Sequence, residues 1–174
     1  MQLLKTINPE NVDEKDLSDW RHKRAARAVV FDNKNMVGLL HVKNRDYYKL
    51  PGGGIEEGED IKIALDRECK EELGVRVKVI KEIGSIIEFR AQPKFHQTSY
   101  CFIARTNSKK NAPNFSDREK LYGYEIVWVP PDEALKLINF PEQTSDDCGR
   151  KFTKERDFCF LNEALKLIWS ADNT

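Results

Sequence analysis

Apolar positions recur at two spacings along this chain, and the switch between them marks the elements it predicts. Residues 25–31 (AARAVVF) and 36–42 (MVGLLHV) are short apolar runs split by the turn-forming DNKN at 32–35, which predicts a hairpin. Residues 61–73 change to a helical spacing, with Ile61, Leu65, Cys69 and Leu73 at successive i+4 steps. Gly74 is placed to stop that helix as a left-handed cap. Alternation returns at Val75, Val77 and Val79, so 75–89 reads as β-rich, followed by strands at 99–106 and 124–129. Asp132 is expected to cap a short helix through Asn139, and a longer helix is expected at about 152–170.

Between the hairpin and the first helix lies KLPGGGIEEGED, residues 49–60. Three consecutive glycines disfavour a helix or strand interior and predict a loop that bends sharply or approaches a ligand. Residues 1–23 are polar and mixed in charge and form a lead-in strand or helix; 107–116 is a polar loop. The order predicts one α/β domain over 1–174, with a core at about 24–140 and a mixed sheet between helices. EALKLI occurs at 133–138 and again at 163–168, a coincidence of strong helix formers rather than an internal repeat.

Composition narrows the class. The chain has 174 residues, 40% hydrophobic and 33% charged, with Lys plus Arg equal to Asp plus Glu. A neutral chain lacks the general field of a dedicated nucleic-acid binder. None of the four cysteines forms a CxxC pair, so zinc spacing is absent, and reduced thiols are expected. The N-terminus turns acidic and polar before any apolar h-region develops, and no run reaches a membrane span, so a cytoplasmic location is expected.

Charge is far from neutral locally. From Glu56 to Glu72 there are eight acids against Lys62, Arg67 and Lys70, a net charge of −5. On a helix, Glu68, Glu71 and Glu72 share a sector about 100° wide that borders the apolar stripe. Glu68 and Glu72 repel each other at i,i+4, so the cluster calls for cations, and hard oxygen ligands suit Mg²⁺, with Mn²⁺ the alternative. Such ions neutralise developing phosphate charge, and a glutamate left unsaturated can accept a proton from water. The backbone of Gly52, Gly53 and Gly54 is open for carbonyls to reach a metal. Arg67 is placed to pair with Glu71 or Glu59 and orient the carboxylates.

The stretch 53–75 resembles the Nudix box, G-x5-E-x7-R-E-U-x-E-E-x-G-U with U a bulky apolar residue. Gly53, Glu59, Arg67, Glu68, Glu71, Glu72, Gly74 and Val75 match, and Cys69 stands at the first U position as a small hydrophobe. A chance match in a chain this long is on the order of one in a million, so composition alone does not account for it. The flanks LPGGGIEEGE and WVPPDEAL extend the likeness over roughly 25–137.

The resemblance implies a three-layer α/β/α sandwich and Mg-dependent hydrolysis of a phosphoanhydride bond in a nucleoside diphosphate linked to another moiety. Such substrates include a nucleoside triphosphate, a nucleotide sugar or ADP-ribose. It implies metal ligands at Glu68, Glu71, Glu72 and the Gly53 carbonyl, an orienting Arg67, and a base at Glu71, with Glu68 next. A further glutamate outside the box is implied for some members; Glu119 and Glu125 are candidates, Glu142 a weaker one. The candidate substrate contacts are Arg27, which alternation in its strand aims into the cleft, with Gly52, Gly54 and Glu119. The basic run at Arg21, His22, Lys23 and Arg24 reads as a solvated connector, His96 and Gln97 as loop residues, and Trp128 and Cys101 as core. Family members often dimerise, and the first 23 residues and the C-terminal helix would serve a homodimer or cover the sheet. Two other classes stand beside the hydrolase: a non-catalytic nucleotide or ADP-ribose sensor, which would tend to lose box glutamates, and a diphosphate isomerase, which would need a further cysteine or acid at the substrate carbon.

Overall fold

The computed structural model describes residues 1–139, apart from 14 and 16, together with 148–171. Its strands are β1 (Leu3–Ile7), β2 (Arg21–Phe31), β3 (Val37–Val42), β4 (Tyr47–Lys49), β5 (Gly52–Gly54), β6 (Val77–Arg90), β7 (Phe95–Thr106) and β8 (Tyr124–Val129). Its helices are α1 (Ile61–Leu73), α2 (Asp117–Leu121), α3 (Pro131–Ile138) and α4 (Cys148–Ala171). The strands form one mixed sheet in the order β1-β6-β7-β2-β3-β4, with β5 on β2 and β8 on β3. The β2–β7 and β1–β6 pairs are parallel.

Alternation along the central strands sends side chains to two cores. Ala26, Ala28 and Val30 of β2, with Phe102 and Ala104 of β7, meet Ala64, Leu65, Cys69 and Leu73 of α1. Val29, Phe31, Cys101 and Ile103 point the other way, against Ala134 and Ile138 of α3 and Phe160, Leu161 and Leu165 of α4. The fold is therefore an α/β/α sandwich, with α1 on one face of the mixed sheet and α3 and α4 on the other. A fully buried Leu or Phe in either layer contributes about 1.5–3 kcal/mol.

Several boundaries depart from the sequence reading. The basic run Arg21–Arg24 opens β2 in register with Phe95–Thr98 of β7. Backbone pairing does not require apolar side chains there; Lys23 lies over the Phe95 ring and His22 stacks on His96. His96 and Gln97 accordingly belong to β7 and not to a loop. The three glycines form β5, antiparallel to Ala25–Arg27. Asp132 sits inside the first turn of α3, whose N-cap is Pro130 with no capping side chain. The first residues supply a strand, β1, and α4 begins at Cys148, four residues before the expected start.

The hairpin turn at Asp32 is held by its side chain. Oδ1 accepts from the Lys34 and Met36 N–H groups, both at 2.9 Å, and Oδ2 pairs with Lys110 Nζ at 2.7 Å. Burial works to raise this carboxyl, but Lys110 and the two N–H groups outweigh it and hold the pKa below the usual value. A depressed carboxylate stabilises the fold above its unfolded-state pKa of about 4, and that contribution fades as pH falls through the folded value. Asp32→Asn is therefore expected to lower the urea midpoint at pH 7, and the gap from the parent chain should narrow at pH 3. A gap that is constant with pH would show that the charge is not what matters.

Candidate functional site

Helix α1 begins at Asp60, whose side chain accepts from the Lys62 and Ile63 N–H groups, and ends at Gly74 in the left-handed conformation. Both ends are thus set by local chemistry. This fixes the helix phase that decides which glutamate faces where. Ala64, Leu65, Cys69 and Leu73 are buried, and Glu72 is buried with them.

Arg67 is the hub of the outer half of the site. Its Nε and one terminal nitrogen each donate to Glu59 at 3.0 Å, a bidentate fork. The other terminal nitrogen donates to Glu68 at 2.8 Å, and the Gly54 carbonyl accepts at 2.9 Å. Glu71 lies 3.9 Å from the same guanidinium. The Glu59 hydrogen bond leads the effects that keep Arg67 charged, and the guanidinium in turn holds the Glu59 carboxyl below the usual range.

The three helix glutamates have different surroundings. Glu68 packs its carboxylate against Gly53, where a methyl group would overlap both oxygens. Glu72 is 2% exposed and accepts from Lys49 Nζ at 2.8 Å and from the Gly52 N–H at 2.6 Å. Burial pushes its carboxyl up, opposed by Lys49 and the Gly52 N–H. Glu71 is the open one, with a side chain 45% exposed.

The glycine strand is held from both sides. Gly52 has φ of 128°, and a Cβ there would strike the Ala26 carbonyl. Its carbonyl accepts from the Arg27 guanidinium, and the Leu50 N–H donates to Asp157 of α4 at 2.9 Å. Arg27 lies on the α4 side of β2, nearly buried and tied to the glycine strand; burial lowers its pKa. Gly53→Ala should push Glu68 off Arg67, lowering turnover about 10–100-fold with little change in melting temperature. Parental turnover by that variant would show that the Glu68–Gly53 contact is dispensable.

The remaining candidates belong to other elements. Glu119 caps α2, where its carboxylate accepts from the Ser116 N–H at 2.7 Å. Glu125 pairs with Lys43 at 3.0 Å on the surface. Glu142 lies outside the described residues. Trp128 packs on the α1-side core under Lys110 Nζ, 3.7 Å from its ring. Cys101 is core, and burial raises its thiol. His96 stacks between His22 and Phe89, and Gln97 donates to Glu88 and Ser99, both at 2.9 Å. Sequence reasoning missed Lys49, Glu88, Arg156 and Asp157; only Lys49, directly before LPGGG, carried a positional hint.

Among the described residues, no group of three or more His, Cys, Asp or Glu side chains converges as a ready-made metal site. The donors that line up on α1 and β5 are nevertheless all oxygen, with the Glu68 carboxylate seated on a glycine that leaves no room for a side chain. That chemistry fits a hard divalent cation.

Comparison with known proteins bears on the family and the fold. The family model described as NUDIX domain matches residues 21–148. An ADP-ribose pyrophosphatase of Methanocaldococcus jannaschii is 30% identical over 105 residues, covering 57% of this chain and 62% of that protein. A methanol dehydrogenase activator of Bacillus methanolicus is 27% identical, covering 68% and 64%. The matches thus span under two thirds of these two relatives. An 8-oxo-dGTP diphosphatase of Buchnera aphidicola is 25% identical, covering 64% and 80%. Among solved structures, a MutT protein from Methanosarcina mazei superposes with a TM-score of 0.54 at 19% identity, covering 84% of this chain and 97% of that one. A NUDIX hydrolase from Nitrosomonas europaea gives 0.56 at 17% identity, covering 78% and 89%. These structures share the fold.

Proposed function

The chain belongs to the NUDIX domain family, and from that premise we propose that it hydrolyses a phosphoanhydride bond in a nucleoside diphosphate linked to another moiety. The observation that carries this reading is the division of labour on α1. Arg67 locks Glu59 and Glu68 beside the glycine strand, while Glu71 keeps its carboxylate open at the edge. Glu68, Glu71, Glu72 and the Gly53 carbonyl would hold Mg²⁺ or Mn²⁺, which supplies neutralisation of phosphate charge and a more acidic water. Glu71 accepts the proton of the attacking water. Arg67 holds Glu68 in orientation. Lys49 and the Gly52 N–H hold Glu72 against the glycine strand, so the donors keep their places while charge develops on the leaving phosphate.

The likeness to proteins named for ADP-ribose and for 8-oxo-dGTP supports a nucleotide substrate. The action is on a small molecule, in the cytoplasm. No helix among the described residues is long and apolar enough to cross a membrane. The test is a panel of nucleoside triphosphates, nucleotide sugars and ADP-ribose with Mg²⁺ or Mn²⁺, with products identified. Release of a nucleoside monophosphate, or of a nucleotide and pyrophosphate, is the expected result. Tight binding of a panel member without turnover would replace the hydrolase with a sensor.

A further inference from the structure

Each oxygen of Glu72 already accepts a hydrogen bond from this chain. Oε1 accepts from Lys49 Nζ at 2.8 Å, and Oε2 from the Gly52 N–H at 2.6 Å. Lys49 stands outside the box pattern, which begins at Gly53, yet its ammonium reaches the innermost carboxylate of α1. Strand register puts it there. Lys49 lies opposite Leu40 in the β3–β4 pair, and Leu40 belongs to the core on the α1 side. Residues directly opposite in an antiparallel pair share a face, so the lysine enters that layer too.

The pair is enclosed. The Lys49 side chain is 11% exposed and that of Glu72 3%. Tyr124 of β8 holds its ring 5.1 Å from the ammonium, and Phe115 meets that ring edge-on at 5.9 Å. The ring face adds a cation–π attraction on the side away from the carboxylate. Arg27, the other buried cation beside the glycine strand, is turned to the α4 side and donates to the Gly52 carbonyl. Lys49 is thus the direct counter-charge of Glu72.

The two cations built into this site differ in kind. Arg67 spreads its charge over Glu59 and Glu68 and is 29% exposed, so water screens it. Lys49 is a point charge on one carboxylate in a layer that excludes water, where like charges repel most strongly. A divalent cation drawn to Glu68, Glu71 and Glu72 meets an ammonium already seated on the third of them.

We propose that Lys49 is a positioning residue, the resident counter-cation of Glu72, and that it competes with the divalent cation of the box and holds down the affinity for it. Glu72 then keeps its place whether or not a divalent ion is bound, and the ion binds more weakly than three unpaired glutamates would hold it. The proposal rests on the hydrolase reading for the presence of that ion, and it concerns affinity rather than turnover.

The test is calorimetric titration with Mn²⁺ of the full chain, stripped with EDTA and then freed of the chelator. Lys49→Gln keeps a donor for Glu72 and removes the charge, and is expected to bind Mn²⁺ about tenfold more tightly than the parent. Lys49→Arg restores a charge and should return close to parental affinity. In Lys49→Gln/Glu72→Gln the contested carboxylate is gone, and the gain should go with it. If Lys49→Gln melts early without metal, a larger rise in Tm on adding Mn²⁺ than the parent shows reads the same tightening by linkage. The sign is decisive, because losing a lysine that only held structure would loosen Glu72 and weaken Mn²⁺ binding. Equal or weaker binding by Lys49→Gln, a gain that survives in the double variant, or no Mn²⁺ binding by parent and variant alike overturns the proposal. The expected order of affinities without turnover of any nucleotide supports the role of Lys49 and removes only the hydrolase reading.

Discussion

Glu71→Gln is expected to lower turnover of any substrate found in the nucleotide panel by about 10²–10⁴-fold, the usual contribution of a positioned general base. The melting temperature should stay within a few degrees. The three glutamates differ in what already occupies their oxygens. Glu72 is buried with Lys49 and the Gly52 N–H, and Glu68 is held by Arg67 and pressed on Gly53. Glu71 has only a 3.9 Å approach from Arg67 and is almost half exposed, so its lone pairs are open to a water at the helix edge. The amide conserves size and hydrogen bonding but cannot take a proton at neutral pH. Stability should be insensitive because no buried partner is orphaned. Steady-state kinetics at saturating divalent cation decide the matter. If Glu71→Gln keeps more than a tenth of parental kcat while Glu68→Gln does not, the base is Glu68.

Much of this site was legible because its determinants are local. Asp60 and Gly74 bound a helix with no tertiary input, and once the phase is fixed the glutamates fall where a 100° step puts them. The wheel placed Glu72 at the margin of the apolar stripe; only packing against β5 shows that it is buried, with Lys49 as its counter-charge. The apolar part of β2 was readable as a strand at 25–31. The start of β2 was not, because Arg21–Arg24 are polar side chains on a backbone paired across 74 positions to β7. The glycine run was read as a loop for a similar reason: with no side chains to alternate, only its partner strand defines it. Arg27 was aimed at the cleft from alternation alone. Its tie to the Gly52 carbonyl and the neighbouring charges of α4 depend on how the C-terminal helix docks, which no local pattern encodes.

Arg156→Met is expected to produce the largest loss of stability, about 3–5 kcal/mol, because breaking one partner of a buried ion pair leaves the others uncompensated. Arg156 is 2% exposed, and Glu88 and Asp157 are fully buried. Its guanidinium reaches Glu88 at 3.3 Å and Asp157 at 2.7 Å. Burial would lower its pKa, but the two carboxylates outweigh burial and keep it charged. Methionine fills similar space and supplies no charge, so two carboxylates would face an apolar layer. In a chain of this size the melting temperature should fall by roughly 10 °C. Glu88→Gln combined with Arg156→Met should recover part of the loss, since the amide needs no counter-charge and its oxygen can still accept from Arg90. Asp157 is different: it accepts from the Leu50 N–H at the start of the glycine strand. Asp157→Leu would orphan that donor and loosen β5 where Gly52 and Gly53 meet the α1 glutamates, so it should lower kcat as well as stability. Thermal melts of the two Arg156 variants, with kcat measured well below the transition for Asp157→Leu, separate the two roles. If Asp157→Leu melts early but turns over at the parental rate, the α4 network holds the core and not the site.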